Sequence, residues 1–149
     1  MSGKPVVVAL DEQATQSISL SPWADLARSV LVAEGIGDGA ELNLTFIDID
    51  EMTALNIEHM DGTGPTDVLS FPLDDSDDVV FHDQTRLLGD VVICPAVVAK
   101  QAPDNPEAEM ALMVVHGVLH ILGMDHQEPG EEAEMKAAEQ RHLTEWRSL

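Results

Sequence analysis

The stretch His116-Gly117-Val118-Leu119-His120-Ile121-Leu122-Gly123-Met124-Asp125-His126 decides how this chain is read. It closes the longest near-apolar run, Met110 to Leu122, which His116 and His120 interrupt. A bilayer needs about 20 such residues, so the run reads as a buried core helix and not a membrane span. Because His116 and His120 are four apart, a helix sends both rings from one face, one turn apart. Neutral imidazoles at that spacing form a standard zinc pair. Gly123 then ends the helix, most simply at positive φ, and lets the chain fold back so that His126 returns as a third ligand. Three protein ligands leave the fourth zinc position to water, the composition of a catalytic site. The plainer alternative is a helix with hydrogen-bonded core histidines. Burying three imidazoles without partners would cost several kcal/mol, which favours a metal.

The same spacing fits the metalloprotease pattern H-E-x-x-H-x-x-G-x-x-H, except that the general-base Glu is Gly117 here. That substitution argues against peptide hydrolysis. A glycine inside a helix costs about 1 kcal/mol relative to alanine. A close approach by a strand or a ligand backbone is the reason to expect one at Gly117. Met110, Met113 and Met124 read as core packing, and His59, His82 and His142 as surface residues.

Working outward, Asn105-Pro106 supplies a cap and a first-turn proline for this core helix, with Glu107 and Glu109 where the helix dipole favours acids. Val6 to Leu10 reads as a strand. Ser21-Pro22 opens a helix over Trp23 to Glu34, which Gly35 stops. Leu42, Leu44 and Phe46 alternate with polar residues in a half-buried strand from Glu41 to Asp48. Asp50 caps a short helix through Met52, Leu55 and Asn56 that ends before Asp61-Gly62. Asp67 to Phe71 is a short strand ended by Pro72, and Leu87 to Cys94 is another, entered near Gly89. Pro95 starts a helix to about Gln101, and Glu131 to Trp146 forms the last, amphipathic one. No repeat or linker divides the chain, so residues 1–149 read as one α+β domain with a mixed sheet of about four strands.

The 149 residues are 44% hydrophobic, enough to bury a core without disulfides. Cys94 is the only cysteine, which fits a reducing compartment, and Val6 to Leu10 is too short for the apolar part of a signal peptide. A cytoplasmic protein is expected. With 28 acids against 7 bases the net charge is −21, which excludes a basic nucleic-acid coat or a polybasic membrane binder. It leaves room for an enzyme that engages RNA at one local site. Asp74, Asp75, Asp77 and Asp78 read as an exposed acidic loop. The acidity itself reads as a self-repelling solvated surface, an adaptation to high salt, or a docking face for a basic protein.

His116-Gly117, Leu119-His120, Gly123 and Asp125-His126, together with Pro65-Thr66-Asp67-Val68-Leu69-Ser70-Phe71-Pro72 and Leu88-Gly89-Asp90-Val91, resemble the YbeY family of bacterial rRNA maturation factors. The likeness runs from about Glu41 to Glu139. It implies a small zincin-like α+β domain and a zinc-dependent, single-strand-specific endoribonuclease. Such an enzyme acts in 3′-end maturation of small-subunit rRNA and in ribosome quality control. It further implies one zinc ion on His116, His120 and His126, a cleft wall from Pro65 to Pro72, and the small ribosomal subunit and its basic proteins as partners. Many members carry an arginine, a natural phosphate clamp, at the position that aligns with Met60. The family's usual aromatic before Asp125 is Met124.

Zinc polarises a phosphoryl oxygen and lowers the pKa of a bound water to about 7. Water activated in this way, or a ribose 2′-OH, is the expected nucleophile on the scissile phosphate. Asp125 is a candidate to orient a ligand histidine, and Thr66 and Ser70 are candidate hydroxyl contacts to RNA or, equally, turn and sheet-edge caps. The alternative to an enzyme is a non-catalytic ribosome-assembly factor with a structural zinc, which Met60 and the net charge favour.

Overall fold

A computed structural model describes residues 4–60, 62–73, 81–82, 85–124 and 128–147. The elements run β1 (Val6–Glu12), α1 (Leu20–Ala33), β2 (Ala40–Ile47), α2 (Ile49–Met60), β3 (Val68–Pro72), β4 (Phe81–His82), β5 (Thr85–Ile93), α3 (Pro95–Gln101), α4 (Pro106–Ile121) and α5 (Pro129–Arg147). The sheet order is β1-β2-β5-β3. β1, β2 and β5 are parallel and β3 is antiparallel to β5, so the four-stranded mixed sheet expected from the sequence is present. The two-residue β4, not anticipated, pairs with the start of β5.

Alternation along β2 sorts the two sheet faces. Leu42, Leu44 and Phe46 are fully buried and, with Val91 and Ile93 of β5, meet Leu26, Val30 and Leu31 of α1 and Val114, Val118 and Leu119 of α4 in the main core. The opposite face carries a smaller cluster, Ile47, Met52, Leu69, Val92, Cys94 and Ala96, over which α2 packs. α4 lies at the centre, touching α1, α3, α5, β3 and β5. Met110 and Met113 are buried in the core and Met124 packs against it, as core fillers should.

Several element ends differ from the sequence reading. α1 begins at Leu20 after Ser19, so Ser21-Pro22 sits inside the first turn. Proline is tolerated there because the first-turn N–H groups have no intrahelical acceptor. α2 begins at Ile49, with Met52 N–H donating to the Asp48 carbonyl, so Asp50 is a helical residue and not the cap. Pro72 belongs to β3, opposite Gly89. An outer strand accepts it, since the missing N–H can face away from the ladder. By contrast, Asn105 caps α4 as expected, its side chain accepting from Ala108 N–H at 3.2 Å. The acidic stretch Asp74 to Asp78 lies outside the described residues.

Candidate functional site

α4 carries the site because its middle can sit unusually close to the sheet. A Cβ built on Gly117 would come within 2.6 Å of Val91 Cγ1 and 3.3 Å of Val68 Cγ2. The close approach inferred from the sequence is therefore made by β5 and β3. It is pinned by Ser70, whose hydroxyl donates to the Gly117 carbonyl at 3.0 Å. One turn on, the helix ends with Gly123 at φ 99°. Gly123 N–H donates to His120 O and Met124 N–H to Leu119 O, the paired bonds of a Schellman stop. The positive-φ glycine stop expected at Gly123 is therefore present.

His116 and His120 leave α4 on one face with ring centroids 4.5 Å apart. Their Nε2 atoms are 3.1 Å from each other. Two nitrogens on one tetrahedral zinc with bonds of about 2.0–2.1 Å lie roughly 3.3 Å apart, so the pair is close to ligating geometry without rearrangement. Behind His116, Nδ1 lies 2.5 Å from Glu139 Oε2, a carboxylate that α5 buries against α4. Donation of Nδ1–H to Glu139 leaves the Nε2 lone pair of His116 aimed at the neighbouring imidazole. That tautomer is the one a metal needs, and a carboxylate behind a ligand histidine is the usual means of fixing it. The donor set therefore fits zinc.

Among the described residues no three His, Cys, Asp or Glu side chains gather into one metal group. The expected third ligand, His126, and the candidate orienting residue, Asp125, lie outside the described residues.

Two cavities open on His116. One, of about 330 Å³, lies between α4 and β3 and is lined by Met60, Val68, Ser70, Pro72, His116 and His120. The other, of about 280 Å³, lies toward α5 and is lined by His116, Glu132, Met135, Lys136 and Glu139. The Val68–Pro72 strand thus forms one wall beside the histidines, and Met60 stands at the rim, 49% exposed. Ser70 reaches both the cavity and α4. Thr66 is absent from that lining and donates to Asp67 Oδ1 at 3.3 Å. Arg86 lies on β5 opposite Ala40 and lines neither cavity. A larger groove, about 460 Å³, sits at the other end of α4 between Trp23, Met110 and Trp146; Glu107 is the one ionisable side chain among the described residues that line it.

Two features escaped the sequence reading. His142 is not a surface residue. It is 3% exposed, and its Nε2 lies 2.7 Å from Glu34 Oε2, which also accepts from Arg141 at 3.1 Å. Glu139, likewise buried, is the carboxylate behind His116. Met135, Ala138, Glu139, His142 and Leu143 all lie on the buried stripe of α5. Two polar residues on an otherwise apolar helical stripe were the available signal.

A mixed four-stranded sheet under a central helix with two converging imidazoles defines a small α+β domain with a candidate metal site on that helix. The family described as Endoribonuclease YbeY matches residues 9–147. An Endoribonuclease YbeY of Salinispora tropica is 45% identical over 133 residues, covering 83% of this chain and 85% of its own. One of Frankia casuarinae is 41% identical over 148 residues, covering 94% and 74%. The solution structure of a Thermotoga maritima protein superposes with a TM-score of 0.60 at 29% identity, over 95% of this chain and 92% of that one. The chain belongs to the endoribonuclease YbeY family.

Proposed function

We propose that this chain is a zinc-dependent, single-strand-specific endoribonuclease. It acts in 3′-end maturation of small-subunit rRNA and in ribosome quality control, in the cytoplasm, with the small subunit and its basic proteins as partners. The observation that carries the reading is the convergence of the His116 and His120 Nε2 atoms at a cavity, with Glu139 behind His116, in a chain of this family. No helix of the described residues is long and apolar enough to cross a membrane.

His116, His120 and His126 are the residues that hold the ion. Zinc, when bound, supplies a Lewis acid that polarises a phosphoryl oxygen and activates water or a 2′-OH. Glu139 holds the Nδ1 proton of His116, the tautomer in which Nε2 carries the lone pair a ligand needs. Ser70 and Gly117 hold α4 against the sheet and thereby set the depth of the cleft. Met60 offers an apolar rim where many members present arginine, so it contributes contact area and no phosphate charge. Lys136, which lines the opening on the α5 side, is ion-paired with Glu132 at 3.0 Å and so brings no uncompensated cation to it.

The second reading, a ribosome-assembly factor with a structural zinc, is favoured by Met60 and by the net charge of −21. Cleavage of labelled single-stranded RNA with and without a chelator, run beside a casein assay, separates the readings. RNA cleavage abolished by chelation and by His120→Ala is expected, with casein untouched. Metal-loaded protein that leaves RNA intact would favour the assembly factor.

A further inference from the structure

The cavity between α4 and β3 has walls that do not suit a phosphate. Met60, Val68, Leu69 and Pro72 supply its apolar part, Ser70 a hydroxyl, and His116 and His120 their imidazoles. Among the described residues that line it there is no Lys or Arg, and the residues outside the described ones include none. Three of the chain's seven cations are held in ion pairs of their own, Arg28 by Asp25, Lys136 by Glu132 and Arg141 by Glu34. The cavity on the α5 side suits a phosphate less still, because the carboxylates of Glu132 and Glu139 line it. The mouth on the β3 side is apolar and wet. Met60 is 49% exposed, Ile57 three residues earlier on α2 is 51% exposed, and Leu73, next in the chain after Pro72, is 54% exposed. One exposed apolar side chain needs no explanation, but three beside one cavity mark a place where something apolar docks.

We propose, resting on the endoribonuclease reading, that this cavity is a nucleobase site. One unpaired base of the RNA strand lies against the Met60 thioether and the Pro72 ring, and its phosphate is turned toward the histidine pair. A phosphate that meets no Lys or Arg gains little from these walls, so the part of a nucleotide that fits them is its flat, aromatic part. Methionine is unbranched and adapts its shape, and its sulfur makes favourable contacts with aromatic rings. Such stacking is tolerant of sequence, because every base has a π-face. A base inside a duplex is covered by its neighbours and held by its partner, whereas a single strand can splay one out. Preference for single strands then follows from the walls themselves. Affinity gained in this way owes little to counterion release and so changes little with salt.

Fluorescence anisotropy on the zinc-loaded protein tests this, with a short labelled oligoadenylate and a ribose-phosphate strand of equal length that lacks bases. A gel checks that each strand is intact at the reading. The oligoadenylate should bind at least about tenfold more tightly than the base-free strand. Met60→Ala should remove most of that difference by weakening the oligoadenylate alone. Met60→Arg should strengthen both strands and steepen the fall of log affinity with log salt by about 0.7, the slope of one added phosphate contact. Circular dichroism checks the fold of each variant, which an exposed position at a helix end should tolerate. Equal affinity for the two strands overturns the proposal, and so does a difference that survives Met60→Ala or no measurable affinity for either strand. A parent protein whose affinity falls steeply with salt overturns it as well, since the grip would then be on phosphates. Failure of the endoribonuclease reading looks different: the oligoadenylate still binds through its bases, and zinc-loaded protein never cuts it.

Discussion

Two histidine–glutamate pairs tie α5 to the rest of the molecule, and they do different work. In one, α5 provides the acid: Glu139 meets His116 of α4 at 2.5 Å. In the other, α5 provides the base: His142 meets Glu34 at the end of α1 at 2.7 Å. The His142 side chain is 2% exposed and its carboxylate is shared with Arg141, so the pair closes on itself as a clasp. The His116 side chain is 25% exposed, and its second nitrogen faces His120 at the edge of a cavity. A buried acid–imidazole contact becomes a candidate active centre only when the imidazole keeps a nitrogen for something else. One pair is a strut, and the other is a strut with an open end.

The largest effect expected concerns the seat on which the open-ended pair rests. Gly117→Glu must place a Cβ where Val91 leaves 2.6 Å, on a fully buried β-branched side chain with nowhere to go. Overpacking of this kind costs about 1–3 kcal/mol, and burying an unpaired carboxylate adds several more. Thermal unfolding should show a severely destabilised or unfolded variant with no peptide hydrolysis. A folded Gly117→Glu protein that cleaved casein would mean that the site needs only the missing general base.

Next comes the contrast itself. Glu139→Gln keeps the shape but weakens the hold on the His116 tautomer. Zinc affinity should fall about 10–100-fold with the far-ultraviolet spectrum unchanged. Glu34→Ala leaves the buried His142 N–H without its acceptor and should cost about 1–3 kcal/mol in a denaturant titration. Metal content measured on the folded Glu34→Ala protein should match the parent. If both variants lost metal equally, the distinction between strut and open-ended pair would collapse.

Ser70 bridges the wall and the helix, and Ser70→Ala should have a smaller effect, about 1 kcal/mol, by leaving the Gly117 carbonyl one bond short. A larger loss of RNA cleavage than of stability would make Ser70 a substrate contact as well as a tie.

Most of this architecture was legible in the chain. Period-2 alternation gave β2, and the i, i+4 histidines before Gly123 gave the helix and its stop, because those signals are local. Gly117 announced a close approach without saying what approached, since the answer lay on β3 and β5. His142 and Glu139 were misread or missed for one reason. Each is buried by a partner, Glu34 or His116, that lies far away in sequence, and no local pattern names such a partner. Pro72 and Ser21-Pro22 blurred element ends because proline tolerates an outer strand and a first helical turn as readily as it ends either one.

The smallest effect belongs to a buried titratable group that belongs to neither pair. Cys94 is fully buried beside Ile47, Met52 and Leu69 on the α2 side of the sheet. Burial raises its thiol pKa, the backbone N–H groups of Val97 and Ala96 offset part of that rise, and the charge of Asp48 adds to it. In the unfolded chain the thiol returns to its ordinary value near 9.0. The native state therefore holds the proton to higher pH than the unfolded state does, and stability linked to this group is intact below that value. Above it the unfolded state loses its proton first, so stability falls as pH rises, until the folded thiol also ionises. The slope is bounded by one proton, about 1.4 kcal/mol per pH unit. Denaturant titrations from pH 8 to 10.5 should show this decline in the parent protein, and Cys94→Ala, though less stable throughout, should lose that share of the slope. Thiol-reactive dye at neutral pH should label Cys94 only as fast as the protein opens. Rapid labelling of the folded protein would mean that the small cluster under α2 admits solvent, and the contrast between closed struts and one open site would then have to include a second open region.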